Sequence, residues 1–150
     1  MRARQGGFSL VEVIAVLMVL AILAGLVGVR LRPGSGSDAL LATAHELASR
    51  CRAARAGAIR RGADQMVVID LAGRVVSSSL PTQEPLAIPE SITILTDTSA
   101  AAQRSASVAG IRFHPNGSST GGVVRLASGR KAYEVRVNWF TGRVSVDAAS

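Results

Sequence analysis

From Phe8 to Val29 the chain reads FSLVEVIAVLMVLAILAGLVGV, an aliphatic run whose one charge is Glu12. About 20 apolar residues suffice to cross a bilayer as a helix, so this segment limits what the chain can become. The seven residues ahead of it, MRARQGG, contain two arginines and no acid. Arg2 and Arg4 predict a cytoplasmic N-terminus, an asymmetry that Arg30 and Arg32 weaken. A secretory signal peptide would have a shorter apolar core, with its small-residue cleavage site after that core. Here the small pair, Gly6-Gly7, precedes the run, so a cut there would leave the whole apolar helix on the mature chain. A plain anchor has no use for Glu12. A carboxylate at the centre of a membrane span costs about 2.5 to 3.5 kcal/mol on insertion scales, and such a residue signals function with a cationic partner.

Gly7-Phe8-Ser9-Leu10-Val11-Glu12 resembles the class III signal of type IV pilins and type II secretion pseudopilins. The resemblance implies that a prepilin peptidase cuts between Gly7 and Phe8 and methylates the new amine, making N-methylphenylalanine of Phe8. Glu12 would then neutralise the N-terminal amine of a neighbouring subunit inside a filament. Physical reasoning agrees, because pairing offsets much of the cost of two charges in an apolar bundle.

Downstream, Pro33-Gly34-Ser35-Gly36-Ser37 interrupts the helical pattern, and Asp38 suits the first turn of a new segment. Leu40, Ala44, Leu47, Ala48, Cys51, Ala54, Ala58 and Ile59 recur at three- and four-residue spacing, which predicts one buried helix stripe. Arg50, Arg52, Arg55, Arg60 and Arg61 lie mostly off it and read as a solvated face. Gly62 ends the helix. Four segments result: 1–7, the leader; 8–32, a transmembrane and filament-core helix; 33–62, the helix after the break; and 63–150, a β domain.

Within that domain, Met66 to Leu71 and Arg74 to Leu80 flank a hairpin turn at Ala72-Gly73. Pro81, Pro85 and Pro89 mark a loop, Ile92 to Leu95 a short strand, and Thr96 to Ser107 an exposed loop. Ile111 and Phe113 alternate with Arg112 and His114 ahead of a Pro115-Asn116-Gly117 turn. Val123 to Leu126 reads as a strand. Tyr133, Val135, Val137 and Trp139 alternate with polar residues, which predicts a half-buried antiparallel strand with both aromatics toward the core. Phe140 to Arg143 turns the chain into Val144 and Val146. The fold class is α+β: a long N-terminal hydrophobic helix, pilin-like, packed on one or two antiparallel sheets.

Phe113-His-Pro-Asn-Gly-Ser-Ser-Thr-Gly-Gly122 and, one strand later, Val137-Asn-Trp-Phe-Thr-Gly-Arg143 resemble the GspH/FimT family. That family includes the H-type minor pseudopilin of type II secretion and FimT-like minor pilins of type IV pili. The first implies a structural subunit of the periplasmic pseudopilus, not an enzyme. Its implied partners are the other major and minor pseudopilins, prepilin peptidase, the inner membrane and the secretion machinery. The second implies DNA binding during uptake.

Charge bears on that choice. The chain is +7, from sixteen arginines and one lysine against ten acids, and loss of the two leader arginines leaves +5. DNA-binding relatives resemble one another in a Gly-Arg-x-Arg tail. Here Gly142-Arg143-Val144-Ser145 lacks the second arginine and Asp147 adds a negative charge, which argues against DNA as a partner. Aromatics for base stacking are scarce, at 3% of residues, and Tyr133 and Trp139 are expected in the core.

No chemistry of catalysis stands out. The Gly117 to Gly122 stretch lacks the lysine and strand-to-helix context of a P-loop, and no histidine–acid pair suits a serine nucleophile. His45 and His114 have no further ligands at metal spacing, and His45 and Cys51, six apart, face different ways. No metal or cofactor is expected. Cys51 is the one cysteine, which excludes an internal disulfide. Arg50 and Arg52 could lower its pKa, but the apolar stripe makes it a small core residue.

Overall fold

The computed structural model describes residues 10–30, 36–97 and 107–149. The processing pair Gly7-Phe8, residues 33–35 of the expected helix break and residues 98–106 of the expected loop lie outside them, while Gly36 and Ser37, the rest of that break, are already helical. Two compact units divide the chain near residue 33.

The first unit contains α1, Leu10–Arg30. From Leu10 to Ala21 every side chain is exposed, including Leu10, Val11, Val13, Ile14, Val16, Leu17 and Met18 around the whole circumference. A helix apolar on all sides is stable only inside lipid or among other helices. Its described side chains end at Ala21, and among the described residues no helix is long and apolar enough to cross a membrane.

The second unit opens with α2, Gly36–Arg61, which has Asp38 in its first turn and Arg60 and Arg61 in its last, both complementary to the helix dipole. The stripe from Leu40 to Ala58 is buried as expected. Its small members, Ala44, Ala48, Cys51, Ala54 and Ala58, let sheet backbones approach closely. Ile59 departs from expectation: it is 47% exposed, because one step past Ala58 turns 100° away from the sheets. Gly62, at φ 62°, takes the left-handed cap conformation that closes the helix.

Eight strands follow: β1 Gln65–Asp70, β2 Val75–Ser78, β3 Leu86–Ala87, β4 Thr93–Asp97, β5 Val108–Phe113, β6 Gly122–Ser128, β7 Lys131–Val137 and β8 Val144–Ala149. They form two antiparallel four-stranded sheets, in the orders β3-β2-β1-β5 and β4-β6-β7-β8. α2 packs on β1, β2 and β5 of the first and on β6, β7 and β8 of the second. One core joins all three layers, with Leu47, Ile69, Ile111, Phe113, Leu126 and Val135 fully buried.

Three details differ from the sequence expectation. The loop marked by Pro81, Pro85 and Pro89 contains the short strand β3. The loop expected from Thr96 starts later, since Thr96 and Asp97 pair with Val124 and Val123. The first hairpin turns through Arg74 at φ 52°, a left-handed residue without a glycine's freedom. The Arg74 guanidinium donates to the carbonyls of Pro89 and Ile92, both at 2.6 Å, which fastens the proline loop and holds that conformation.

Cys51 is fully buried and its thiol is pushed up from 9.0 to about 12, by burial first and despite the opposing charge of Arg52. The folded state therefore keeps a proton that the unfolded chain loses above pH 9, so stability falls as pH rises from 9 toward 12. A thiol reagent at pH 8 should leave Cys51 untouched in the folded chain and label it in denaturant. Labelling at equal rates in both states would contradict this placement.

Candidate functional site

Two regions carry the functional expectations. In α1, Glu12 sits in the first turn, exposed, beside Val13, Val16 and Leu17, with which it lines a shallow recess. A lone carboxylate on an aliphatic surface can take one cation from a neighbouring helix.

The second region is built by the two stretches that resemble GspH/FimT. β5 leads through a turn, in which Gly117 N donates to His114 O at 2.9 Å, into β6. β7 leads through a second turn into β8. The two turns dock on each other. Ser119 N donates to Trp139 O at 2.8 Å, and Ser119 Oγ donates to Asn138 O at 3.1 Å.

Asn138 organises the second turn. Its Oδ1 accepts from Phe140 N (3.0 Å), Thr141 N (2.9 Å) and Thr141 Oγ1 (3.0 Å). Asn138 O also accepts from Gly142 N at 2.8 Å, closing the loop. A side chain that accepts from the backbone in this way stops a strand, so β7 ends at Val137. The expectation that Trp139 continues the buried strand face is therefore corrected. Trp139 is 66% and Phe140 70% exposed, and they contact edge to face with ring centres 5.6 Å apart. Tyr133, by contrast, packs against the core as expected.

α2 fastens both turns. Arg55 Nε is shared between Gly117 O at 3.0 Å and Thr141 O at 3.1 Å. Arg52 Nη2 donates to Val144 O at 3.3 Å. Arg50, whose side chain is largely covered, also donates to the Glu84 carbonyl and pairs with Glu46, so the expectation of a merely solvated arginine face is corrected at three positions, Arg50, Arg52 and Arg55. A long cation one turn along from a buried residue can reach carbonyls at the edge of the packed sheet, but nothing local in the sequence marks which arginine does so.

The Ser-rich stretch is structural. Ser118 Oγ donates to Asn116 Oδ1 at 2.7 Å and Ser119 Oγ to Asn138 O, so among the described residues neither hydroxyl is bonded to a histidine side chain. His114 Nδ1 instead faces Asp64 Oδ1 at 3.0 Å, with Arg112 3.7 Å from the same carboxylate. His45 is exposed, and among the described residues no three of His, Cys, Asp and Glu gather as a metal site.

Residues 43–142 match the family model described as type II transport protein GspH, which spans two thirds of the chain and includes both docked turns. Residues 2–28 match the prokaryotic N-terminal methylation motif. No curated protein matches in sequence. The fold is similar to the minor pseudopilin EpsH of the Vibrio cholerae type 2 secretion system: 13% identity, TM-score 0.62, covering 77% of this chain and 98% of that one. It is also similar to the type IV minor pilin FimU of Pseudomonas aeruginosa: 15% identity, TM-score 0.58, covering 79% and 98%. With the methylation motif ahead of a two-sheet pilin-like domain whose match includes the docked turns, the chain belongs to the GspH family of type II transport proteins.

Proposed function

We propose that the chain acts as a minor pseudopilin: a structural, non-enzymatic subunit of the type II secretion pseudopilus. One observation carries the reading. A methylation motif over 2–28 and a GspH domain over 43–142 occur in one chain, in the order that leaves an apolar helix on the mature protein. Prepilin peptidase cuts between Gly7 and Phe8 and methylates Phe8. The apolar run from Phe8 to Val29 then holds the subunit in the bacterial inner membrane, single-pass, with its N-terminus cytoplasmic and its β domain periplasmic. On assembly the same helix leaves lipid for the filament core, where its all-round apolar surface meets other helices. Glu12 takes up the amine of a neighbouring subunit there. The partners are the major and the other minor pseudopilins, within the secretion machinery.

Processing tests the reading. Co-expression with a prepilin peptidase should shorten the chain by the seven residues of the leader, and Gly7→Val should leave it at full length on a denaturing gel. A chain that keeps its leader beside an active peptidase would refute the proposed cleavage.

A further inference from the structure

Beside the docked turns, Arg52, Arg55, Thr141, Gly142, Arg143 and Val144 line a recess of about 500 Å³. Three guanidinium groups meet there, two from α2 and one from the β7–β8 turn. Among the described residues none of the three is paired with a carboxylate. Three arginines on these sheets are paired with acids: Arg136 and Arg125 with Glu134, and Arg112 with Asp64. Arg143 also lines an adjoining groove of about 680 Å³, whose wall includes the exposed Trp139. Three unneutralised cations beside an exposed tryptophan have the composition of a binding hot spot, where Trp and Arg are enriched.

We propose that this recess receives a carboxylate side chain from a neighbouring pseudopilin, with Trp139 and Phe140 covering the apolar residues that flank it. The proposal rests on the pseudopilin reading, which surrounds the chain with protein subunits. Arginine forks match a carboxylate in two-point geometry. Arg52 and Arg55 already donate to backbone carbonyls, which fixes their heads before a partner arrives. A second copy of this chain fits poorly, because it brings the same positive charge. A nucleic-acid backbone fits less well than a single acidic group. It needs a row of free cations, and the next one along the groove, Arg136, is held by Glu134 at 2.5 Å. Arg130 and Lys131 lie at the opposite end of β7.

The test uses the full-length chain co-expressed with the other pseudopilins of its own secretion system, with capture of each measured after gentle solubilisation. Arg143→Glu should lower capture of one subunit about tenfold or more, the scale of breaking a close interfacial charge pair. Trp139→Ala should weaken capture of the same subunit, and Arg130→Glu, with the same change of net charge, should leave it intact. Replacing one acidic residue of that subunit by arginine should restore capture by Arg143→Glu. Unchanged capture with Arg143→Glu, or an equal loss with Arg130→Glu, would overturn the proposal. Tight, Arg143-dependent binding of a short DNA duplex with no effect on subunit capture would overturn it as well. If the chain is not cleaved by the peptidase, the pseudopilin reading itself fails. If it is cleaved and assembles but ignores Arg143, only the docking site fails.

Discussion

Gly142→Val should lower the thermal midpoint of the chain in detergent by about 10 °C, equivalent to roughly 3 kcal/mol for a domain of this size. Two independent costs combine. Gly142 has φ +62°, where a β-branched residue is strained by about 1 to 3 kcal/mol. A Cβ there would also collide with the Gly117 carbonyl oxygen and stand 2.8 Å from Arg55 Nε and 2.9 Å from Arg55 Cδ. The collision falls where the two turns and α2 meet. Relief requires Arg55 to withdraw, which loses its bonds to Gly117 O and Thr141 O, or the turns to separate, which exposes the Ser119 contacts. Gly129→Val is the matched control, with φ +59° and nothing within 4 Å of its added Cβ. It carries the backbone strain alone and should cost clearly less. Equal losses at both positions would contradict the close approach of the turns.

Glu12→Ala should reduce incorporation into filaments about tenfold or more while leaving the melting of the β domain unchanged. The carboxylate lies on an exposed aliphatic surface in the first unit, whereas the core of the second unit is closed by α2 and the two sheets. In the membrane the change removes an insertion cost, smaller than the about 2.5 to 3.5 kcal/mol of a mid-span carboxylate because Glu12 lies in the first turn of α1, so the variant should accumulate normally or better. In the filament, by the proposed pairing, it leaves a neighbour's methylated amine without its counter-ion, and an unpaired charge in an apolar bundle is strongly destabilising. Glu12→Gln separates charge from size and should behave like Glu12→Ala. Normal filament incorporation by Glu12→Gln would show that hydrogen bonding, not charge, is what position 12 supplies. A parallel loss of β-domain stability would assign Glu12 a role in folding instead.

The legible parts of the fold are those whose signal is local. The α2 stripe from Leu40 to Ala58 could be read because a 3.6-residue period recurs over five turns, and it failed only at Ile59, where it drifted off the face. Strands β1, β6 and β7 showed as alternation or as short apolar runs. Alternation alone extends β7 two residues too far, because Trp139 keeps the period of two. The Asn138 side chain, whose bonds to Phe140 and Thr141 end the strand, leaves no trace in that alternation. Arg74 and Arg55 were not legible for a different reason. Their carbonyl partners lie 14 to 18 residues away for Arg74 and 62 to 86 for Arg55, so their roles exist only once the chain is folded. The division into two sheets likewise depends on long-range pairing, such as β1 with β5.

Site legibility follows the same division. Glu12 stood out because a lone charge in an aliphatic run is anomalous under any fold. Both halves of the paired-turn motif were visible as glycine-, asparagine- and serine-rich stretches, but not that Ser119 and Asn138 join them. The outward position of Trp139 and the meeting of Arg52 and Arg55 with Arg143 reverse the picture of a sparse tail beside a buried aromatic. They make that end of the domain a binding surface whose partner chemistry can be assayed.

Mass spectrometry of the chain's N-terminal peptide, in pseudopili sheared from cells that overproduce the major pseudopilin, decides whether the chain is a peptidase-processed subunit that assembles. The peptide should start at Phe8, carry one added methyl group and co-purify with the major subunit. A peptide that starts at Met1, or a processed chain that stays wholly in the membrane fraction when filaments are removed, would contradict it.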